Sequence, residues 1–260
     1  MQPKTEELLY LLMWTTDVLA RPTFRNLTDS FESWAYRNGF KRQIDTLARR
    51  KFLEKKADKS GDRLYRLTEE GRLHALGGRD PEARWARPWD GKWRVVVFDV
   101  PNTRNVHRER LRRYLRGRFF GYLQNSVWIT PDPLMEERSI LRGGDINVES
   151  LLLLDANPCA GESNAALVEA SWDFPRINRR YEQCLKVLKD LPDVGARTER
   201  GAKRLLDWAR LERATWLDAV LKDPLLPACL HPPSYLGPKV WARLKKVLSI
   251  ARRQTEAFHL

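Results

Sequence analysis

Lys41, Arg42 and Gln43 stand in a row at the head of an amphipathic stretch, and Arg and Gln are side chains that read bases. An Arg presents a planar fork that matches guanine O6 and N7, and a Gln presents a donor and an acceptor that match adenine. Beside them Phe40, Ile44 and Leu47 recur at i, i+4 and i+7. That apolar stripe docks a short helix on a core and leaves Lys41, Arg42 and Arg49 to face elsewhere. More cations follow at once: Arg49 and Arg50 at the helix end, then Lys55, Lys56, Lys59 and Arg63. These suit phosphate oxygens, which position a protein on a duplex and carry no sequence information. The competing reading is an ordinary solvated helix and hairpin, with Arg49 and Arg50 merely well placed at a helix C-terminus.

Other chemistry-bearing residues do not gather. His74, His107, His231 and His259 form no HxxxH or HxH pair, so a histidine-rich metal site is not expected. Cys159, Cys184 and Cys229 are odd in number and form no CxxC pair, which reads as reduced, buried, small apolar residues. Ser171, Cys184 and His231 have no catalytic motif around them. Asp99 closes the apolar run Val95-Val96-Val97-Phe98 just before Pro101, and a lone carboxylate there is commonly a turn or cap residue. No cofactor is expected.

The elements that must position these residues can be read from periodicity. Helices are expected over residues 5–20, with Leu8, Leu11, Leu12 and Val18 on one side, and over about 26–37, with Leu27, Phe31 and Trp34. Asn38-Gly39 supplies a tight turn into the basic helix. Lys55-Lys56 and Arg63 to Leu67 pair as strands across Asp58 to Asp62, and Glu69-Glu70-Gly71 opens a closing helix. A basic helix followed by a basic hairpin is the plan of a winged helix-turn-helix, in which the helix enters the major groove and the wing touches flanking phosphates. Residues 79–91, polar and rich in Pro and Trp, read as a linker.

Then come a buried central strand at 92–101, an arginine-rich helix at 105–116, a strand at 121–131, a polar helix at 133–141 and a strand at 149–154. Strand, helix, strand, helix, strand suggests a ferredoxin-like α+β sandwich, whose remaining strand lies within the second strand segment or is paired differently. From about 172 the chain is helical. Ile177, Tyr181, Leu185 and Leu188 mark one helix, and Leu205, Trp208, Leu211 and Thr215 another. The proline-rich segment 223–238 is an irregular connection, followed by a basic helix at 240–258.

With 260 residues, 42% hydrophobic and ten of them Trp, the chain is long and apolar enough for two or three folded domains. A net charge of +13 and a pI near 9.9 favour a polyanionic partner. The basic excess is shared along the chain, which disfavours a membrane-anchoring tail. No apolar run approaches the roughly 20 residues that cross a bilayer, and the N-terminus lacks a cationic secretion signal. A cytoplasmic protein without membrane contact is expected.

Several motifs in order carry a resemblance over nearly the whole chain. They are Tyr65-Arg66-Leu67-Thr68-Glu69-Glu70-Gly71, Trp89-Asp90-Gly91-Lys92-Trp93-Arg94, Pro101, Arg110-Leu111-Arg112 and Gly121 with Val127-Trp128-Ile129. Trp172-Asp173, Ile177-Asn178, Tyr181 and Asp223-Pro224-Leu225-Leu226-Pro227 complete the set. In this order they resemble the phenylacetic-acid-degradation repressors, the PaaX family. The departures are a short N-terminal arm, Phe119-Phe120 before Gly121, and the segment from His231 to Lys239. The resemblance implies a transcriptional repressor that binds double-stranded DNA at a palindromic operator as a homodimer and is released by a small acyl-CoA thioester. Such an effector needs cations for its phosphates and apolar walls for its acyl group. Trp172, Trp208 and Trp216, with Tyr181 and Trp241, are candidate walls, and Arg176 and Arg179, with Arg180, candidate phosphate partners. The alternative is aromatics in a helix core and arginines in solvent.

The middle of the chain also looks like the small ferredoxin-like nuclease of CRISPR adaptation, in which an Asp ending the first strand holds a catalytic metal. Asp99 stands at that position. The expected layout is therefore a winged helix-turn-helix over 1–78, a linker over 79–91, a dimerising ferredoxin-like domain over 92–158 and a ligand-sensing helical domain over 159–260. A non-enzymatic regulator is the first reading. A metal-dependent nuclease using Asp99 is the alternative.

Overall fold

The computed structural model describes residues 4–6, 8–9, 41–57, 63–99, 105–134, 150–193 and 199–256. Their contacts gather the chain into two units, one of residues 1–80, 179–221 and 236–260, the other of 81–178 and 222–235. The architecture mixes helices with antiparallel sheet, the α+β class expected.

The first unit begins with helix α1 (Lys41–Arg49), hairpin strands β1 (Leu53–Ala57) and β2 (Arg63–Leu67), and helix α2 (Glu69–Ala75). The helix expected over 5–20 is described only at 4–6 and 8–9, which are helical, with Leu8 and Leu9 fully buried. The helix expected near 26–37 and the turn at Asn38-Gly39 lie outside the described residues. Downstream come α6 (Phe174–Lys189), α7 (Glu199–Val220) and α8 (Gly237–Glu256), the long helices expected beyond 172. Tyr181, Leu188, Leu205, Trp208, Trp216, Trp241, Leu244 and Val247 are buried there. Leu211, expected on the apolar stripe, is 55% exposed; Trp216 is buried on α7 instead.

The second unit holds β3 (Trp93–Asp99), α4 (Asn105–Gly117), β4 (Gly121–Gln124), β5 (Val127–Thr130) and β6 (Ser150–Ala156). The sheet order is β4-β5-β3-β6 with every pair antiparallel, the strand order of a ferredoxin-like sheet. The remaining strand thus comes from residues 121–130, which form a hairpin rather than one strand. Its turn uses Asn125 at φ 42°, a left-handed conformation that Asn tolerates. The polar helix expected at 133–141 lies from residue 135 outside the described residues.

β3 is central, as its unbroken apolar run implied, but its two faces differ. Val96 and Phe98 pack with Leu111 and Leu115 of α4 and with Phe120 and Trp128. On the opposite face Val95 and Val97 are half-buried, beside Leu154 and Leu152 of β6, which are 49% and 54% exposed. The expectation of a strand buried on both faces therefore holds on one face only.

Helix α5 (Asn164–Ser171) was not expected. Ser163 caps it by accepting from the Ala166 N–H at 3.1 Å. Its end seats against β4 so closely that a Cβ on Gly121 would lie 2.6 Å from Ser171 Cβ. Residues 79–91, expected as a linker, contain helix α3 (Pro81–Ala86) with Pro81 and Trp85 buried. Arg87 there donates to Asp132 at 2.7 Å and to the Leu225 carbonyl. In the Asp223 to Pro227 segment, the fully buried Asp223 accepts from the Leu225 N–H at 2.7 Å and the Tyr235 hydroxyl at 2.6 Å. These two bonds hold Leu225 at φ 49°. Segment 223–238 is irregular, as expected, up to residue 236, apart from one 3-10 turn at Ala228–Leu230; α8 already begins at Gly237.

Candidate nucleic-acid interface

The first-unit segment from α1 to α2 is built around Leu47, Phe52, Leu53 and Leu67, all buried. α1 stops where Lys51 turns left-handed at φ 60°. The Phe52 N–H then donates to the Leu47 carbonyl at 2.9 Å and the Lys51 N–H to the Ala48 carbonyl at 3.0 Å. Those two bonds are a Schellman ending, and Leu47 and Phe52 at its two ends are both buried. α4 ends by the same device, with Phe119 at φ 64° and the Phe120 N–H on the Leu115 carbonyl at 3.0 Å.

Thr68 fixes the hairpin between the two helices. Its hydroxyl donates to the Lys51 carbonyl at 2.8 Å and accepts from the Gly71 N–H at 3.0 Å, while its own N–H donates to the Phe52 carbonyl at 3.1 Å. One residue thus ties the end of α1, the end of β2 and the first turn of α2. Gly71 is required because a Cβ there would lie 2.3 Å from the Phe52 carbonyl oxygen. The Leu67-Thr68-Glu69-Glu70-Gly71 motif is therefore a structural clasp.

The expected DNA contacts fall on this frame as follows. Arg42, Arg49 and Arg50 are exposed and Gln43 is half-buried. Arg49 also donates to the Thr46 hydroxyl at 3.4 Å. Lys41 opens α1. Lys55, Lys56 and Arg63 lie in the hairpin, where Lys55 pairs with Tyr65, Lys56 with Leu64 and Arg63 with Ala57. Lys59 and Phe40 lie outside the described residues.

The expected effector residues are divided between the units. Trp172, in the sheet unit, is buried, donates to the Phe119 carbonyl at 3.1 Å and lies 6.0 Å from the Trp93 ring. Arg176 and Arg179 are exposed. Trp208, in the helical unit, is buried and donates to the Val187 carbonyl at 2.8 Å. Trp216 is 1% exposed and stacks on Trp241 at 5.0 Å. Nearby on α6, burial pushes the Cys184 thiol up to about 12, an inert thiol. Asp99 is exposed at the end of β3, opposite Ser150 of β6. Among the described residues no group of three His, Cys, Asp or Glu side chains is placed to hold a metal ion.

The Trp89 to Arg94 motif is also scaffold. Asp90 receives Arg94 at 2.7 and 2.5 Å and the Lys92 N–H at 3.1 Å, and these bonds hold its carboxyl well below the usual carboxylate range. Arg94 is buried and reaches Asp155 of β6 at 3.4 Å, pinning the turn before β3 to the strand beside it.

Residues 86–168 match the family model of the PaaX protein central Cas2-like domain. The middle of this chain is thus similar to that domain. The PaaX resemblance read from the sequence is borne out there, and its Trp89 to Arg94 and Gly121 motifs are the turn and the close approach just described. A solved structure, the uncharacterized protein Rv0674 from Mycobacterium tuberculosis, is similar at 23% identity with a TM-score of 0.52. That likeness covers 97% of each chain and is one of fold. No curated protein matches the chain.

Proposed function

We propose that this chain is a PaaX-type transcriptional regulator, a repressor that holds a palindromic operator as a homodimer. The observation that carries this reading is a clasped helix and hairpin whose helix bears the exposed Arg42, Arg49 and Arg50, in one chain with a PaaX-like central domain. In it, α1 is the recognition helix, with Lys41, Arg42 and Gln43 toward base edges. Arg49 and Arg50, with Lys55, Lys56, Lys59 and Arg63 of the wing, take phosphates. The winged helix-turn-helix covers 1–78, and the sheet domain dimerises through the open face carrying Leu152 and Leu154. A small acyl-CoA effector releases the operator, with Trp172, Trp208, Trp216, Arg176 and Arg179 as its candidate partners. Among the described residues no helix is long and apolar enough to cross a membrane, which suits a cytoplasmic regulator.

The test is fluorescence-anisotropy binding to labelled duplexes tiling the DNA upstream of the chain's own gene, with excess competitor. One tile holding an inverted repeat should survive competition by on the order of 10³-fold over the others. Equal binding by all tiles would sink the operator.

One observation favours a second reading. Asp99 is exposed at the end of the first strand of a Cas2-like domain. If the domain cleaves phosphodiesters with Mg²⁺, Asp99→Ala abolishes cleavage and leaves DNA affinity intact. If no Mg²⁺-dependent cleavage is detected with the unaltered chain, this reading is discarded.

A further inference from the structure

We infer that α4, on the sheet unit, is a second DNA-backbone surface, separate from the helix and hairpin, and that it holds duplex beyond the operator core. The inference rests on the DNA-binding reading above and extends it to a part of the chain that reading leaves unused.

α4 carries Arg108, Arg110, Arg112, Arg113 and Arg116, with Arg118 following, against a single acidic residue, Glu109. Arg112 occupies that carboxylate at 3.0 Å. Arg110, Arg113, Arg116 and Arg118 are exposed. Arg116 lies over the Trp128 ring at 5.7 Å and Arg118 over Tyr114 at 5.8 Å, contacts that steady a guanidinium without neutralising it.

A helix whose only task was to be wet would mix both signs of charge. Its first turn holds no acidic residue to offset Arg108, although Arg116 in its last turn sits favourably on the dipole. Cations clustered along one helix are the electrostatic footprint of a nucleic-acid contact. From Arg110 to Arg116 the row runs about 9 Å along the axis, against one phosphate per about 3.4 Å of duplex axis on each strand. Placement in the sheet unit matters too. α4 covers the face of Val96 and Phe98, whereas the exposed Leu152 and Leu154 lie on the opposite face. A partner covering the apolar face leaves α4 open.

The test compares the full chain with Arg110→Gln/Arg113→Gln on two duplexes, a selected tile of about 60 base pairs and its central 20 or so. Both changes are on exposed side chains, and circular dichroism with thermal melting confirms that the variant folds. On the long duplex the variant's slope of log K against log salt should be shallower by about 2 per protomer. Its affinity deficit should then narrow about tenfold per protomer between roughly 50 and 200 mM salt. On the short duplex the two proteins should bind alike. Equal slopes on the long duplex overturn the inference while leaving the operator reading intact. If no tile is selected, the operator reading fails by itself, and the slope on any long duplex still decides whether α4 binds DNA. An equal slope change on single-stranded RNA of the same length overturns the assignment to duplex DNA.

Discussion

At the scale of single residues, Gly71 is the most tightly enclosed of the described glycines, since a Cβ would lie 2.3 Å from a backbone oxygen that cannot swing away. Gly71→Ala should lower stability by about 1–3 kcal/mol in urea titration. Gly117 makes the contrast: nothing lies within 4 Å of its would-be Cβ at the end of α4, so Gly117→Ala should stabilise by up to about 0.5–1 kcal/mol. A second residue-scale effect concerns pH. His231 donates to the Leu226 carbonyl at 2.9 Å beneath Trp85 and Tyr235, and burial lowers it from the ordinary 6.5. Asp223 opposes that shift and Arg87 reinforces it, and these are the charged groups that face it. The folded state therefore prefers the neutral ring. Its contribution is present above the unfolded value and is lost as pH falls from there through the folded one. Melting curves between about pH 7.5 and about pH 5.5 should show a steeper decline for the unaltered chain than for His231→Gln.

At the scale of elements, the clasp at Thr68 makes the helix and hairpin one piece. Thr68→Val removes both hydroxyl bonds and should cost about 0.5–2 kcal/mol, whereas Thr68→Ser should retain most of the stability. Weaker DNA binding by the valine variant at temperatures where it stays folded would tie the clasp to orienting α1. The elements themselves were unevenly legible. α1 and the hairpin announced themselves through a three-point apolar stripe and two short basic runs, and the long helices through Tyr181 and Leu188. The β4–β5 turn was hidden because Asn125-Ser126 contains no Gly or Pro, so the apolar residues on either side ran together as one strand. α5 carries too little apolar periodicity to stand out, and only its Ser163 cap gave a local signal. Residues 79–91 look like a linker by composition, yet Trp85 is buried and Arg87 is bonded to groups 45 and 138 positions away, which no window of sequence reveals. Of the expected site, Arg42, Arg49 and Arg50 are exposed, whereas Trp172, Trp208 and Trp216 are buried side chains. Composition alone does not separate a packed indole from one that lines a pocket.

At the scale of the whole molecule, the homodimer proposed above would form on the open sheet face. Leu152→Glu/Leu154→Glu places two charges on it and should raise the dimer dissociation constant by about 10²-fold or more. Sedimentation velocity reads this directly, and a species still dimeric at micromolar concentration would move the interface elsewhere. Each unit is also discontinuous in the chain: the one holding α1 and the hairpin draws on residues 1–80, 179–221 and 236–260. A chain emerging from the ribosome at about 5–20 residues per second therefore presents its cationic helix and hairpin long before the segments that complete their unit have been made. Synthesis that stops before residue 179 yields that helix and hairpin without α7 and α8 of the same unit. On the DNA-binding reading proposed above, such a fragment should hold an operator more weakly than the finished chain.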